Sequence, residues 1–261
     1  MKRILLTVEY DGTAYSGWQR QMNGLAVQQV LEEALSSACA HPVTVTGSSR
    51  TDAGVHARMQ MVHFDSDCSI PPDKYPFVLN NLLPDDIRVQ DAREVPQDFH
   101  ARFLTSGKTY TYRILNNRHG SALQRNYCWH VPVPLDVKRM MEAVLTLQGE
   151  HDFFAFQAAG GTARTTVRKI ECADLSSSGA LITLLVTGNA FLYNMVRIIA
   201  GTIVEVGLGK RETDCFTRAF MSRNRLDLGM TAPASGLELT EVFYPPRAFS
   251  EPASLRWHEE E

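Results

Sequence analysis

Residues 47–54 form the most unusual segment of this chain, and they read Gly47-Ser48-Ser49-Arg50-Thr51-Asp52-Ala53-Gly54. The small side chains in this segment leave the backbone open to close approach by a ligand. A short β-prone stretch precedes the segment at residues 43–46, and a second follows at residues 60–64. We therefore predict a polar loop between two strands.

Strand and helix patterns continue outward from this loop in both directions. Residues 4–10 alternate as a strand, and residues 25–40 have apolar side chains at helical spacing. The later part of the chain has a similar pattern of elements. We predict strands at 108–115, 167–174 and 180–187, and helices at 135–147 and 189–206. Two α/β halves meeting near residue 105 would create a cleft, which is a usual place for a site.

Composition restricts the class of protein more than it indicates a partner. The 261 residues carry a net charge of −3, and 44% of them are hydrophobic, as in an ordinary globular protein. The apolar runs are too short to span a bilayer, so no membrane association is predicted. Five scattered cysteines favour a reducing cytoplasm over a disulfide framework. Charge is uneven: residues 161–225 carry nine basic and five acidic side chains.

The predicted loop contains one pair of residues that can perform chemistry. Arg50 and Asp52 are two positions apart, so they project to the same side of an extended backbone. A guanidinium there would orient the carboxylate and keep it ionised, as a base or nucleophile requires. From these residues alone, a polar turn with side-chain-to-backbone bonds is the alternative interpretation.

Two further features are open to more than one interpretation. Tyr110 and Tyr112 can stack on unpaired nucleobases, or they can pack within a sheet. Arg197 lies in an apolar helical pattern, so it must either reach the surface or meet an anion. The histidines show no metal-ligand spacing, and nucleotide-binding glycine motifs are absent from the sequence. We therefore predict neither a metal nor a cofactor.

Six sequence blocks occur in the order found in one enzyme family. They are Tyr10-Asp11-Gly12-Thr13-x-Tyr15-x-Gly17-Trp18-Gln19-Arg20-Gln21, Arg50-Thr51-Asp52-Ala53-Gly54-Val55-His56-Ala57, Phe99-His100-Ala101-Arg102-Phe103, Lys108-Thr109-Tyr110-Thr111-Tyr112, Asn189-Ala190-Phe191-x-x-x-Met195-Val196-Arg197 and Thr231-Ala232-Pro233-Ala234-x-Gly236-Leu237. With these blocks the chain resembles the tRNA pseudouridine synthase A family over nearly its full length. It departs from the family at Glu238, where an aromatic residue is common.

The resemblance implies an α+β pseudouridine synthase fold, with a mixed, largely antiparallel central sheet flanked by helices. Two similar α/β halves, residues 1–105 and 106–248, would enclose a cleft, and residues 249–261 would form a polar tail. The family isomerises uridines 38, 39 and 40 in the anticodon stem-loop of tRNA. It needs no cofactor and acts as a cytoplasmic homodimer, with one tRNA touching both subunits.

The resemblance also assigns roles to individual residues. Asp52 corresponds to the essential aspartate, Tyr110 stacks on the target base, and Arg197 pairs with the carboxylate across the cleft. A stacked uridine must be flipped out before reaction, and contacts to phosphates help to offset the cost of flipping. Our candidates for those contacts are Arg20, Arg58, Arg164, Arg168 and Lys169.

Two other functions compete with this interpretation. One is an RNA-binding module without activity on the same scaffold, although such a module could freely lose Asp52 or Tyr110 and both are present. The other is a glycoside hydrolase in which Asp52 works with Asp11 or Asp98. The sequence does not establish the carboxylate separation that glycoside hydrolysis needs.

Overall fold

The computed structural model describes residues 1–250 of the chain. The chain divides into two compact units. Unit 1 consists of Met1–Ser106 together with the chain from Glu241 onward, and unit 2 consists of Gly107–Thr240. The predicted halves, 1–105 and 106–248, stay a prediction, and most of the predicted tail lies outside the described residues.

Three antiparallel strands form the centre of unit 1. Strand β1 (Lys2–Tyr10) lies between β3 (His56–Ser66) and β4 (Ile87–Val95), and both neighbours run antiparallel to it. The strands predicted at 4–10 and 60–64 are therefore confirmed. The buried residues of β1 include the consecutive Leu5 and Leu6 as well as Val8. Buried and exposed side chains therefore alternate less strictly than in a strand with one solvent-exposed face.

Helix α1 (Val27–Cys39) lies within the predicted span and buries one apolar stripe, while α2 (Tyr75–Asn80) was not predicted. The strand predicted at 43–46 is wrong for most of its length, because β2 contains only Thr46–Gly47. The amide of Val45 instead donates to the Glu32 carboxylate at 3.1 Å, and the amide of Val43 donates to a serine of α1. Side chains of α1 thus take the hydrogen bonds that a strand would have made.

Four strands of unit 2 pair antiparallel with one another. Their order is β5 (Gly107–Leu115), β9 (Leu181–Gly188), β8 (Val167–Ser178) and β7 (Gly149–Asp152). The hairpin predicted between residues 167 and 187 is confirmed by β8 and β9. The short strand β6 (Trp129–His130) runs parallel to β5, which makes the pairing mixed.

The helices of unit 2 are α3 (Val137–Leu145), α4 (Met195–Gly207) and α5 (Cys215–Ser222). The helix predicted from residue 189 actually begins at Met195, so its first six residues were assigned wrongly. Asn194 precedes the helix in the left-handed region with φ of 61°, which interrupts the helical backbone. Asn189 instead bonds to the backbone of Lys169 through both its amide and its side chain.

The last strand, β10 (Leu237–Phe243), includes the residues at which the chain passes from unit 2 to unit 1. Within unit 1, the carbonyl of Phe243 accepts a hydrogen bond from the amide of Ser106. Ten strands and five α-helices are found in residues 1–250, with largely antiparallel pairing. The predicted α+β class is confirmed. None of the helices in this described region is long and apolar enough to cross a bilayer.

Candidate active site

In unit 1, the loop that carries Asp52 is attached through its backbone to the first sequence block. The amide of Trp18 donates to the Thr51 carbonyl at 3.1 Å, and the amide of Gly54 donates to the Tyr15 carbonyl at 3.3 Å. These bonds lie on either side of Asp52. The backbone on both sides of the carboxylate is therefore fixed by a segment more than thirty residues away.

Two glycines allow this close approach of two backbones. Gly17 has φ of +95°, and a Cβ placed there would lie 2.6 Å from the Thr51 carbonyl oxygen. A Cβ on Gly12 would lie 2.1 Å from the carbonyl oxygen of Val55. Real Cβ atoms do not approach backbone oxygens so closely, so the contact between the two blocks requires glycine at both positions.

Buried side chains also contact the loop that carries Asp52. The Tyr10 hydroxyl lies 2.7 Å from the Thr51 hydroxyl, and the rings of Tyr10 and Trp18 stack at 6.0 Å. At the start of the loop, the Gln60 side-chain amide donates to the Ser49 carbonyl at 2.7 Å. Because these groups are buried, the loop has little freedom to reorganise.

The two predicted catalytic residues of this loop differ in exposure. Asp52 is half-buried, and its carbonyl accepts a hydrogen bond from the Val55 amide at 3.1 Å. Arg50 is exposed. The predicted orientation of the Asp52 carboxylate by Arg50 stays a prediction.

Tyr110, the predicted stacking residue, lies on β5 in unit 2 and is 7% exposed. Its ring meets that of Phe191 edge-to-face, with 5.0 Å between centroids and 82° between planes. This contact brings the fourth and fifth sequence blocks together. It holds the tyrosine ring in one orientation, which a stacking partner for a base requires.

Arg197 lies in the first turn of α4 and is half-buried. Its Nε donates to the Ala232 carbonyl and its Nη1 to Asn194 Oδ1, each at 2.8 Å. The Ala232 amide in turn donates to the Arg197 carbonyl at 3.0 Å. The guanidinium is thus oriented by specific acceptors. Its predicted pairing with Asp52 joins residues of the two units and stays a prediction.

The sixth block also packs on Tyr112, the neighbour of Tyr110 on the same face of β5. The Tyr112 hydroxyl donates to the Pro233 carbonyl at 2.8 Å, and a Cβ on Gly236 would lie 2.6 Å from the Tyr112 ring. Burial raises the pKa of the Tyr112 hydroxyl, while the positive charge of Arg197 acts in the opposite direction. The tyrosine therefore stays protonated and serves as a donor.

Comparison with known proteins identifies the family. The family model described as tRNA pseudouridine synthase matches residues 6–104 and 143–245. The chain belongs to this family. It is 49% identical over 245 residues to tRNA pseudouridine synthase A of Ruminiclostridium cellulolyticum, covering 94% of this chain and all of the relative. It is 46% identical over 247 residues to the protein of that name from Syntrophotalea carbinolica, covering 95% and 98%.

Members of the tRNA pseudouridine synthase family are isomerases of uridine to pseudouridine, so the predicted family and enzyme class are confirmed. Among solved structures, the chain is similar to one from a Cbf5–Nop10–Gar1 complex, with a TM-score of 0.39 and 12% identity. That match covers 94% of this chain and 52% of the other. Such a distant likeness supports no argument about the site.

The five residues predicted to contact phosphates occupy different environments. Arg58, Arg164 and Lys169 are exposed. Arg20 forms an ion pair with the buried carboxylate of Glu32 on α1, at 3.1 Å, so its charge is partly neutralised there. Burial lowers the pKa of the half-buried Arg168, whose Nη1 donates to the Val167 carbonyl at 2.6 Å. The assignment of these five residues to phosphates stays a prediction.

Glu238, the departure from the family pattern, has a local partner. Its carboxylate lies 2.9 Å from Nη1 of Arg113, and both side chains are largely buried. The two residues lie on β10 and β5 within unit 2. An acidic residue at this position is therefore matched by a basic one, which offsets the cost of its burial.

Sequence reasoning missed the acceptors that orient Arg197. Asn194 lies three residues before it, and asparagine is among the few residues that tolerate the left-handed region. That preference was the available signal for Asn194, whereas the Ala232 carbonyl left no trace in the sequence pattern. In residues 1–250, no group of three or more His, Cys, Asp or Glu side chains is arranged to hold a metal ion.

Proposed function

We propose that this protein converts uridine to pseudouridine at positions 38, 39 and 40 of the tRNA anticodon stem-loop, with Asp52 as the catalytic carboxylate. The observation that carries the proposal is the fixed position of the Asp52 loop, whose backbone is bonded to Trp18 and Tyr15. Relatives of nearly the same length carry the name tRNA pseudouridine synthase A.

The reaction is an isomerisation, so it needs no external oxidant or reductant. The N1–C1′ bond of the flipped uridine breaks, the base turns, and a C5–C1′ bond forms; the C5 proton is lost and N1 gains one. The Asp52 carboxylate can add to the base or the sugar, or remove the C2′ proton. Each route requires an ionised carboxylate with a fixed direction. Tyr110 would stack on the extruded base, and Arg197 would stabilise the Asp52 carboxylate.

Replacement of Asp52 by asparagine tests the central role. The Asp52→Asn protein should fold and bind tRNA like the wild type, yet lose pseudouridine formation by about 10³-fold or more. Pseudouridine is measured by mass spectrometry of tRNA transcripts, and binding by fluorescence anisotropy. Asp73→Asn is the matched control, because Asp73 is an exposed carboxylate of the same unit that pairs with Lys74, and its loss should leave turnover nearly unchanged. Substantial turnover by Asp52→Asn would refute the assignment.

Replacement of Arg197 by lysine tests the second proposed catalytic residue. A lysine ammonium cannot reproduce the two bonds that the guanidinium makes to Ala232 and Asn194. We expect kcat to fall by about 10–100-fold with a smaller change in KM. Wild-type kcat in Arg197→Lys would contradict a role for this group in the reaction.

The target positions and the assembly require separate measurements. Mapping of pseudouridines in tRNA from cells with and without this protein should show loss at positions 38, 39 and 40. Loss at other positions alone would contradict the proposed specificity. We also propose a cytoplasmic homodimer, in which one tRNA contacts both subunits. Sedimentation equilibrium that returned only the monomer mass of 29.2 kDa would refute the dimer.

A further inference from the structure

Charge is distributed unequally between the two units. Unit 2 carries fifteen basic and eleven acidic side chains, whereas the rest of the chain carries eleven basic and eighteen acidic ones. A polyanion is therefore attracted to unit 2 more strongly than to unit 1. A nucleotide site on unit 2 would be a concave surface that combines positive charge with an exposed aromatic ring.

One cavity of about 290 Å³ in unit 2 has both properties. It is lined by Phe154, Arg223, Arg225 and the loop around Gly160 and Gly161. Its volume is close to the lower end of the range of about 300–1,000 Å³ for small-ligand pockets, so it suits one nucleotide rather than a helix. The cavity is formed by unit 2 residues alone.

Phe154 provides a ring that is available to a ligand. It is 51% exposed, which is unusual for a phenylalanine, and the Arg223 guanidinium lies 4.7 Å from the ring centroid. Aromatic rings and arginine planes are the groups on which unpaired bases stack. The ring and the guanidinium therefore form a composite stacking surface.

The Asp152 carboxylate holds this surface in place. Its Oδ1 accepts hydrogen bonds from the Phe154 amide at 3.1 Å and the Thr166 hydroxyl at 2.5 Å. Its Oδ2 lies 3.1 Å from Nη2 of Arg223. One carboxylate thus connects the two ends of the loop to the arginine, and a ligand would meet a site that is already formed.

Arg225 supplies charge that is only weakly offset by acids. It is half-buried, and burial together with the charge of Arg211 lowers the pKa of its guanidinium. Glu205 is the acid that opposes this shift, but its carboxylate is bonded to Arg211 at 2.5 Å. A bound anion would relieve the cost of this partly desolvated cation.

The loop opposite these groups permits close approach. Residues 158–163 read Ala158-Ala159-Gly160-Gly161-Thr162-Ala163, so their side chains are small. Gly160 has φ of +88°, and a Cβ placed there would meet nothing within 4 Å. Arg164, one of the predicted phosphate contacts, follows in the same loop and is exposed.

From these observations we infer that the cavity is an RNA subsite, which binds one unpaired nucleotide of the tRNA outside the reacting uridine. Its base stacks on Phe154, and its phosphate is bound by Arg225 with Arg223. This inference rests on the proposed function, because that function supplies the RNA. The subsite contributes to binding rather than to chemistry, so its loss affects KM and leaves kcat unchanged.

The test compares Phe154→Ala with Phe77→Ala in the full-length protein. Phe77 is a matched control, because it is also exposed and lies beneath a cation, Lys74, but belongs to unit 1. We expect Phe154→Ala to raise KM and Kd for a tRNA transcript about tenfold, with kcat within about twofold of wild type. Phe77→Ala should leave both constants unchanged. Phe154→Trp should bind like the wild type, because tryptophan retains a stacking surface.

Arg225→Gln tests the phosphate contact. It should weaken binding about fivefold and reduce the slope of log K against log salt by about one. If the wild type is active and Phe154→Ala and Phe77→Ala have the same KM, the proposed subsite is refuted. Weaker binding by Arg225→Gln alone would also overturn it, because the base would then not be stacked.

The subsite and the proposed function fail in different ways. A wild-type protein that forms no pseudouridine in any tRNA refutes the proposed function, and the anisotropy measurements still decide whether Phe154 binds RNA. Ultraviolet crosslinking of the transcript, followed by mass spectrometry, should place RNA on the peptide that contains Phe154. Crosslinks that avoid this peptide would contradict the subsite. Thermal unfolding of each variant checks that the fold is retained.

Discussion

The two compact units position the residues of the candidate active site by different means. Unit 1 fixes the Asp52 loop through backbone bonds and through the absence of a side chain at Gly17. Unit 2 fixes Arg197 and Tyr112 through side-chain donors to the backbone carbonyls of Ala232 and Pro233. The first arrangement is therefore sensitive to added atoms, and the second is sensitive to lost donors.

The largest expected effect comes from adding one methyl group to unit 1. Gly17→Ala places a Cβ 2.6 Å from the Thr51 carbonyl oxygen at a positive φ. We expect the free energy of unfolding to fall by about 3 kcal/mol, from backbone strain and overpacking together. Denaturation in urea measures this change, and pseudouridine formation should fall with it, since the Asp52 loop must move.

Gly160→Ala separates the clash from the strain. Gly160 also has a positive φ, +88°, but it has open space where a Cβ would be. Its unfolding free energy should fall by only about 1 kcal/mol. If both variants lost the same stability, the close contact between Gly17 and Thr51 would not be important.

A smaller effect is expected from removing one hydroxyl in unit 2. Tyr112→Phe leaves the partly buried Pro233 carbonyl without its donor, so we expect a loss of about 2 kcal/mol in unfolding free energy. Tyr10→Phe makes the same change in unit 1, where the partner is the Thr51 hydroxyl, which can rotate, rather than a fixed carbonyl. It should cost about 1 kcal/mol. A larger loss of unfolding free energy for Tyr10→Phe than for Tyr112→Phe would contradict this difference between the two units.

The smallest expected effect is a pH dependence of stability in unit 1, where the side chain of His63 accepts a backbone hydrogen bond. The Ala101 amide donates to His63 Nδ1 at 3.1 Å, and burial lowers the pKa of His63 from 6.5 to about 4. The unfolded state therefore binds a proton first as pH falls, and stability should decrease between pH 6.5 and 4. The slope stays below about 1.4 kcal/mol per pH unit, and partial solvation reduces it further.

His63→Asn checks this pH dependence. The asparagine side-chain oxygen can accept from the Ala101 amide in place of Nδ1, and it does not titrate. We expect the wild type to lose about 1 kcal/mol more than the variant between pH 6.5 and 5 in urea denaturation. Parallel pH profiles for the two proteins would show that His63 is not the group responsible.

Sequence patterns predicted the regular elements best where local periodicity was strong. Strands β1, β5, β8 and β9 and helices α1 and α3 were found because their alternation or helical spacing is contained within a few residues. The start of α4 was missed by six residues, because apolar spacing continues through the segment before Asn194. A left-handed residue ends that continuity, and hydrophobic periodicity does not reveal it.

The sequence by itself determined the family and the α+β class, because six blocks keep their residue types and order whatever surrounds them. Only the tertiary structure decided which groups surround these residues. The acceptor of Arg197 at Ala232 lies 35 residues away, and the backbone partner of Trp18 lies 33 residues away. Such contacts form when packed elements bring distant backbone groups together, and backbone carbonyls are identical at every position of the sequence.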